Sequence, residues 1–338
     1  KQLEYEFDKR SFSDSLKHRQ EMKAGELELA SQKAELKHEQ AQRYMLYGGL
    51  ALLLVVAGVV WKAYSNKKKD NIEIQLQKSE TERQKHLVEE KQQEIIDSIN
   101  YAQRIQYALL ANSNLLSENL GDHFVLFMPK DIVSGDFYWA TLKNKRFYIA
   151  ACDCTGHGVP GAFMSLLNIS FLNEAVNEKN ISGPDEVLNH VRMRLIENIS
   201  QDGGQDGMDA TLLWIDLENS WVKYAAAHNQ PLVVTNGKAT NFPADKMPVG
   251  KGERTESFRQ FNLPVEKGDA IYLYTDGFPD QFGGPKGKKF KSKQLTEVLS
   301  VNSSLSMKEQ KILLEKHFSD WKGNLEQIDD VCVIGIKV

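Results

Sequence analysis

Hydrophobic and polar positions change pattern three times along the chain. Residues 1–43 are dominated by Glu, Lys, Gln and Ala, contain no Pro and hold a single glycine, Gly25, which predicts a solvated charged helix. The run Met45-Leu-Tyr-Gly-Gly-Leu-Ala-Leu-Leu-Leu-Val-Val-Ala-Gly-Val-Val60 carries no charge, with Tyr44 and Tyr47 at one edge and Trp61 and Tyr64 at the other. Its length of about 20 residues suits a ~30 Å hydrocarbon core, and the edge aromatics suit the two membrane interfaces. A transmembrane helix is therefore predicted over 44–64. The run lies far from the first residue and lacks a small-residue cleavage site, unlike a secretory signal. Because the chain opens on Lys1 rather than Met, 1–43 is read as the end of a truncated upstream region. Lys62, Lys67, Lys68 and Lys69 follow the span, against Arg43 and Lys37 before it, which orients the C-terminal part to the cytoplasm of a single-pass protein in the cell (inner) membrane.

Residues 65–115 predict a second polar helix, a coiled-coil-like linker. Val88, Gln92, Ile95, Ile99, Ala102, Gln106 and Leu109 recur at alternating spacings of four and three, whereas Ile74, Lys78, Thr81 and Lys85 break the same register upstream. A seam this short fits two arrangements, a helix packed on its own domain and a parallel homodimer through the linker. Either would let the helix relay a signal.

From 116 to 338 the texture is globular. Asp136-Phe-Tyr-Trp-Ala-Thr-Leu142 and Arg146-Phe-Tyr-Ile-Ala-Ala-Cys-Asp153 are rich in strand formers and are joined by Lys143-Asn-Lys-Arg146. With Asn144 and Lys145 as the two loop residues, the register sets Asp136 opposite Asp153, their Cβ atoms about 5 Å apart. Facing like charges need a shared proton or a divalent cation, whereas a one-residue slip would turn one carboxylate to the other face. After Asp153, Gly156, Gly158 and Gly161 form a glycine loop, and Pro160 and the apolar run Ala162–Val176 start a helix. Strand, glycine loop and helix start can offer backbone N–H groups to an anion, and no Walker A Gly-Lys-Ser/Thr is present. Asp276 ends the apolar strand Asp269–Thr275, and Asp329-Asp330 open the strand Val331–Val338. Aspartates at strand ends without a His/Cys cluster describe an all-oxygen site, suited to Mg²⁺ or Mn²⁺.

Composition narrows the classes. The 338 residues carry 42 basic and 46 acidic groups, a net charge of −4 that offers no electrostatic reason for a nucleic-acid partner. The three cysteines, Cys152, Cys154 and Cys332, form neither a disulfide framework nor a zinc pattern, and fit a reducing compartment.

Gly135-Asp136, then Asp153-Cys-Thr-Gly-His-Gly-Val-Pro-Gly-Ala162, then Tyr274-Thr-Asp-Gly277, then Asp329-Asp330 together resemble the SpoIIE-like (RsbU-like) branch of the PPM, or type-2C, serine/threonine phosphatases. The resemblance implies an α+β fold, an αββα sandwich of two antiparallel sheets flanked by helices. It also implies hydrolysis of phosphoserine or phosphothreonine on a regulatory partner protein by water activated between two Mn²⁺ or Mg²⁺ ions. By position it makes Asp153 the bridging ligand and the Cys154 carbonyl a ligand. Asp276 and Asp329 complete the protein set, Asp136 is a ligand or water-holder, and Asp330 is an alternative to Asp329. Distant relatives carry a His two residues after the bridging Asp as proton donor; here the nearest is His157, four residues on, which is the candidate for that role or a loop residue fixing the turn. Asp209 reads as a cap that stands near the metals at most, and His228 as a structural turn or core residue. The family's usual substrates imply an anti-sigma antagonist as partner. Two other classes stay open, a catalytically silent module with the same fold and a two-metal nucleotide cyclase. A parallel linker dimer predicts that single cysteines at Ile95 and Ile99 crosslink two copies under mild oxidation, and recovery of monomer alone would exclude it.

Overall fold

In a computed structural model, residues 2–199, 204, 206–219, 221–254 and 256–338 are described. The chain forms two units, 1–90 and 91–338. Helix α1 (Gln2–Leu109) accounts for the first unit, where one stretch is long and apolar enough to cross a membrane, with none of it buried in the protein. Tyr44, Tyr47, Trp61 and Tyr64 at the edges of the 44–64 run are all exposed.

The second unit takes in the last turns of α1, from residue 91, and continues through α2 (Ser113–Asn119), which Asn112 caps through its side chain. The sequence-based linker of 65–115 thus divides, its C-terminal part packing with the globular residues. Gln106, a seam position in the pattern, is fully buried in this unit, and Tyr107 meets Phe127 edge-on with ring centroids 6.0 Å apart. Ile95, by contrast, is exposed.

The strands and helices that follow are β1 (His123–Met128), β2 (Phe137–Lys143), β3 (Arg146–Cys154), α3 (Gly158–Asn173), α4 (Pro184–Asn198), β4 (Gly207–Asp216), β5 (Trp221–Ala227), β6 (Leu232–Thr235) and β7 (Lys238–Asn241). They continue with β8 (Val249–Gly250), β9 (Phe261–Leu263), β10 (Ala270–Tyr274), α5 (Gly277–Asp280), β11 (Phe282–Gly283), β12 (Lys288–Lys289), α6 (Ser292–Val301), α7 (Met307–Lys322) and β13 (Val331–Lys337). One sheet has the order β1-β13-β10-β6-β7 and the other β2-β3-β4-β5-β9, with β8 pairing β4. Every ladder in both sheets is antiparallel. This is the α+β sandwich of the sequence expectation. A nucleotide cyclase would open its core on strand–helix–strand, and the hairpin β2–β3 is not that start.

Strand parity sorts the apolar residues into layers. In β3, Phe147, Ile149 and Ala151 face inward, with Leu213, Ile271, Leu273, Cys332 and Ile334 in the inter-sheet core. The alternate residues Tyr148, Ala150 and Cys152 pack outward under Ile169, Leu172, Val187 and Val191 of α3 and α4. On the other side Tyr272 and Val333 pack under Leu295, Leu314 and Phe318 of α6 and α7. Leu213 is 0% exposed between the sheets. Leu213→Ala should therefore destabilise the globular unit by ~2–5 kcal/mol, read as an earlier denaturant midpoint with an unchanged slope in the detergent-solubilised chain.

Candidate functional site

Register brings the first carboxylates together. Asn144 and Lys145 both adopt left-handed backbone (φ 51° and 62°), the geometry of a two-residue hairpin turn that matches strand twist. From that turn β2 and β3 pair Lys143 with Arg146 through to Phe137 with Cys152. The same register carried one step further sets Asp136 opposite Asp153. Next in the sheet, Asp153 is paired with Asp209 of β4. Asp153 has the parity of the inward-facing Ile149 and Ala151, so the three carboxylates lie in a row at one end of the inter-sheet space. The opposing sheet brings Asp276 from the end of β10 and Asp329 from the start of β13. Asp153, Asp209, Asp276 and Asp329 line one cleft of about 250 Å³, with Cys154 and His157 also on its wall.

Burial, partial for most of them, makes Asp136, Asp153, Asp209 and Asp276 reluctant to ionise. Burial first, and then the charge of Asp153, pushes the Asp136 carboxyl well above the usual carboxylate range, against a hydrogen bond with Thr275. Asp153 is pushed up to about 8, by burial and then by Asp276, Asp329 and Asp209. Burial and then the Asp329 charge raise Asp276; burial also raises Asp209, with a hydrogen bond from His228 opposing it. Asp153 lies within hydrogen-bonding reach of both Asp136 and Asp276. Buried Asp136 Oδ2 has no hydrogen-bond partner among the described residues.

Asp330 does something different from its neighbour. Its Oδ1 accepts the Lys130 amide at 2.7 Å and its Oδ2 the Gly135 amide at 2.8 Å. Both oxygens thus fasten the loop that carries Asp136. The same loop is gripped from α1, where Gln106 donates to the Ser134 carbonyl (2.6 Å) and to Ser165 Oγ (2.7 Å) while accepting the Ser134 amide (3.1 Å). Close packing completes the brace. A Cβ at Gly135 or Gly161 would fall on the Gly156 carbonyl, and one at Gly277 on the Asp330 carbonyl.

His157 stands at the N-cap of α3 without capping it. Its Nδ1 lies 2.9 Å from Asp131 Oδ2 and its Nε2 lies 3.2 Å from Lys130 Nζ. A lysine ammonium has only protons to give, so Nε2 accepts and Nδ1–H donates to Asp131, and both ring nitrogens are engaged. His228 is the other histidine beside the acids, with Nδ1 at 2.8 Å from Asp209 Oδ1. Cys152, Cys154 and Cys332 are free and buried, and burial with the neighbouring carboxylates pushes all three thiols up.

Pattern alone did not give the roles of three of these residues, among them Asp330, which it offered as an alternative ligand to Asp329. Gln106 was indistinguishable from a seam position, and Asp209 from a cap. The grip of Asp330 depends on residues 130–135 lying beside a strand some two hundred positions later.

Comparison with known proteins agrees with this architecture. The SiaA-PP2C domain of Pseudomonas aeruginosa superposes with a TM-score of 0.67 at 30% identity, covering 73% of this chain and 98% of that one. The PP2C phosphatase domain with a regulatory-domain fragment of SpoIIE from Bacillus subtilis shares the fold, with a TM-score of 0.53 at 18% identity over 64% of this chain and 63% of that one. Phosphoserine phosphatase RsbU of Bacillus subtilis (strain 168) is 25% identical over 231 residues, which are 67% of this chain and 61% of the relative's own length. The model of the family described as Stage II sporulation protein E (SpoIIE) matches residues 143–338, and the chain belongs to that family.

Proposed function

We propose that this chain is a metal-dependent protein phosphatase that removes phosphate from phosphoserine or phosphothreonine on a regulatory partner protein. The observation that carries the reading is the convergence of Asp136, Asp153, Asp276 and Asp329 from two sheets on one end of the sandwich. A silent module would have no need of so costly a cluster. The relationship to phosphoserine phosphatase RsbU supports the chemistry.

The residues fit divalent cations. Buried Asp136 Oδ2, unpartnered among the described residues, and the mutually repelling acids Asp136, Asp153 and Asp276 are what a hard cation would relieve. Among the described residues no three His, Cys, Asp or Glu side chains ring a single point. Mg²⁺ keeps several waters and is typically held through one or two carboxylates, so pairs suffice. Asp136, Asp153, Asp276, Asp329 and the Cys154 carbonyl would hold two Mn²⁺ or Mg²⁺ ions. Bound there, the ions supply Lewis-acid charge against the phosphoryl oxygens and lower the pKa of attacking water. Asp330 and Gln106 hold the Asp136 loop in place. The N-terminus of α3, at His157, turns the positive end of its dipole to the cleft, where a phosphate would sit. His157, with both nitrogens engaged, braces Lys130 and Asp131 at the rim.

The 44–64 helix anchors the enzyme in the cell membrane with the catalytic domain in the cytoplasm, on the strength of its length and flanking lysines. The linker relays upstream signals through Gln106, with a parallel homodimer as its partner arrangement. The substrate is a phosphorylated protein of the anti-sigma antagonist kind, and no nucleic acid is bound.

Two outcomes follow. Asp153 protonates near 8 in the fold and near 3.8 in ordinary surroundings, so its contribution to stability is full below about pH 4 and is lost as pH rises through 8. With chelator present, the melting temperature should fall from pH 6 to 9. Mn²⁺ should restore it by an increment that grows with pH, and Asp153→Asn should flatten both trends. In turnover, the full chain in detergent should release phosphate from p-nitrophenyl phosphate only with Mn²⁺ or Mg²⁺, and Asp153→Asn should lower that rate by at least ~100-fold.

A further inference from the structure

We infer that His228, held by Asp209, is the group that protonates the departing serine or threonine oxygen. This assignment rests on the phosphatase reading and adds to it a proton donor that lies outside the metal-binding motifs.

The first observation is backbone geometry. His228 follows β5 in left-handed backbone, φ 55°. The other non-glycine residues with positive φ among those described are Asn144, Lys145, Asn180, Asn236 and Lys291. Histidine tolerates this conformation, and its surroundings here hold it firmly. The His228 amide donates to the Asp245 carbonyl at 2.9 Å and the Asn229 amide to the Ala227 carbonyl at 2.6 Å, while the Thr211 hydroxyl donates to the Asn229 carbonyl. Asp245 is itself fixed by Arg259, whose Nε donates to Oδ1 at 2.7 Å.

The second observation is the side chain. Nδ1 is 2.8 Å from Asp209 Oδ1, and no hydrogen bond engages Nε2 among the described residues. Asp209 lines the cleft with Asp153, Asp276 and Asp329, and is paired with Asp153 across the β3–β4 ladder. His228 is thus one hydrogen bond from the wall of the reaction cleft, with its ring orientation set and one nitrogen open. The side chain is 42% exposed, so it can exchange protons with solvent. His157 offers no such nitrogen, since Lys130 and Asp131 take both.

The step balances as follows. A water oxygen bonds to phosphorus as the P–O bond to the serine oxygen breaks. That oxygen keeps the bonding pair and takes the proton from Nε2 of the imidazolium. Asp209 continues to accept from Nδ1–H, and the proton lost by the attacking water returns to the imidazole through solvent. The arrangement is an Asp–His pair working as a general acid.

Leaving-group dependence tests it. p-Nitrophenolate departs without a proton, whereas a serine alkoxide does not. For the full chain in detergent with saturating Mn²⁺, His228→Asn keeps a residue that tolerates the left-handed turn. It should lower kcat/KM on a phosphoserine peptide about 100-fold while changing that on p-nitrophenyl phosphate by less than about threefold. Asp209→Asn should shift the ratio in the same direction. The ratio of the two rates does not depend on the fraction of enzyme folded or metal-loaded. A parallel fall on both substrates, or no fall on either, would overturn the assignment of His228 alone. Failure of the unaltered chain to turn over either substrate would overturn the phosphatase reading and this assignment with it.

Discussion

Repulsion between crowded carboxylates is the constraint around which this domain is arranged. Asp136, Asp153, Asp209, Asp276 and Asp329 come from both sheets and meet at one end of the space between them, with Asp136 buried and the other four lining a cleft they only partly withdraw from water. Such a set is unfavourable in isolation, because each acid loses hydration and feels its neighbours. The raised proton affinities of Asp136, Asp153 and Asp276 are the direct sign of that cost. The remainder of the fold supplies rigidity to hold it. Two packed sheets fix the strand ends, Asp330 and Gln106 fasten the loop before Asp136, and glycines let three backbone segments approach closely. A looser scaffold would relax by letting the acids drift apart, and the capacity for a cation would go with them.

How far this was legible from sequence depended on how local the determinant was. The pairing of Asp136 with Asp153 follows from a two-residue turn and strand periodicity, both readable within twenty residues. Asp276 and Asp329 were visible as acids at the ends of apolar strands. The inward turn of Asp209 was not, since its face is set by pairing with β3 across a long excursion through α3 and α4. Asp330 illustrates the limit well. It is adjacent to Asp329 and chemically identical, yet its oxygens are taken by amides of residues 130 and 135. Only tertiary structure separates those two roles.

The helix entering the globular unit shows a similar ambiguity. A spacing of four and three fits both an intermolecular seam and a face packed on one's own domain. The amide of Gln106 resolves the lower part of that pattern, because its polar atoms all find partners in the Ser134 loop and Ser165. Ile95, one and a half heptads earlier, stays in solvent. One helix thus carries an intramolecular clamp at its end and an unfilled apolar face before it, and any movement of the helix would act on the Asp136 loop first.

The three buried thiols have a consequence of their own. Burial first, and the neighbouring acids after it, opposes formation of a thiolate at Cys152, Cys154 and Cys332, the form that attacks peroxide and captures soft metals. Burial therefore keeps the sulfur inert. The domain can place sulfur beside its reaction centre without recruiting zinc or copper, and without becoming an oxidation sensor.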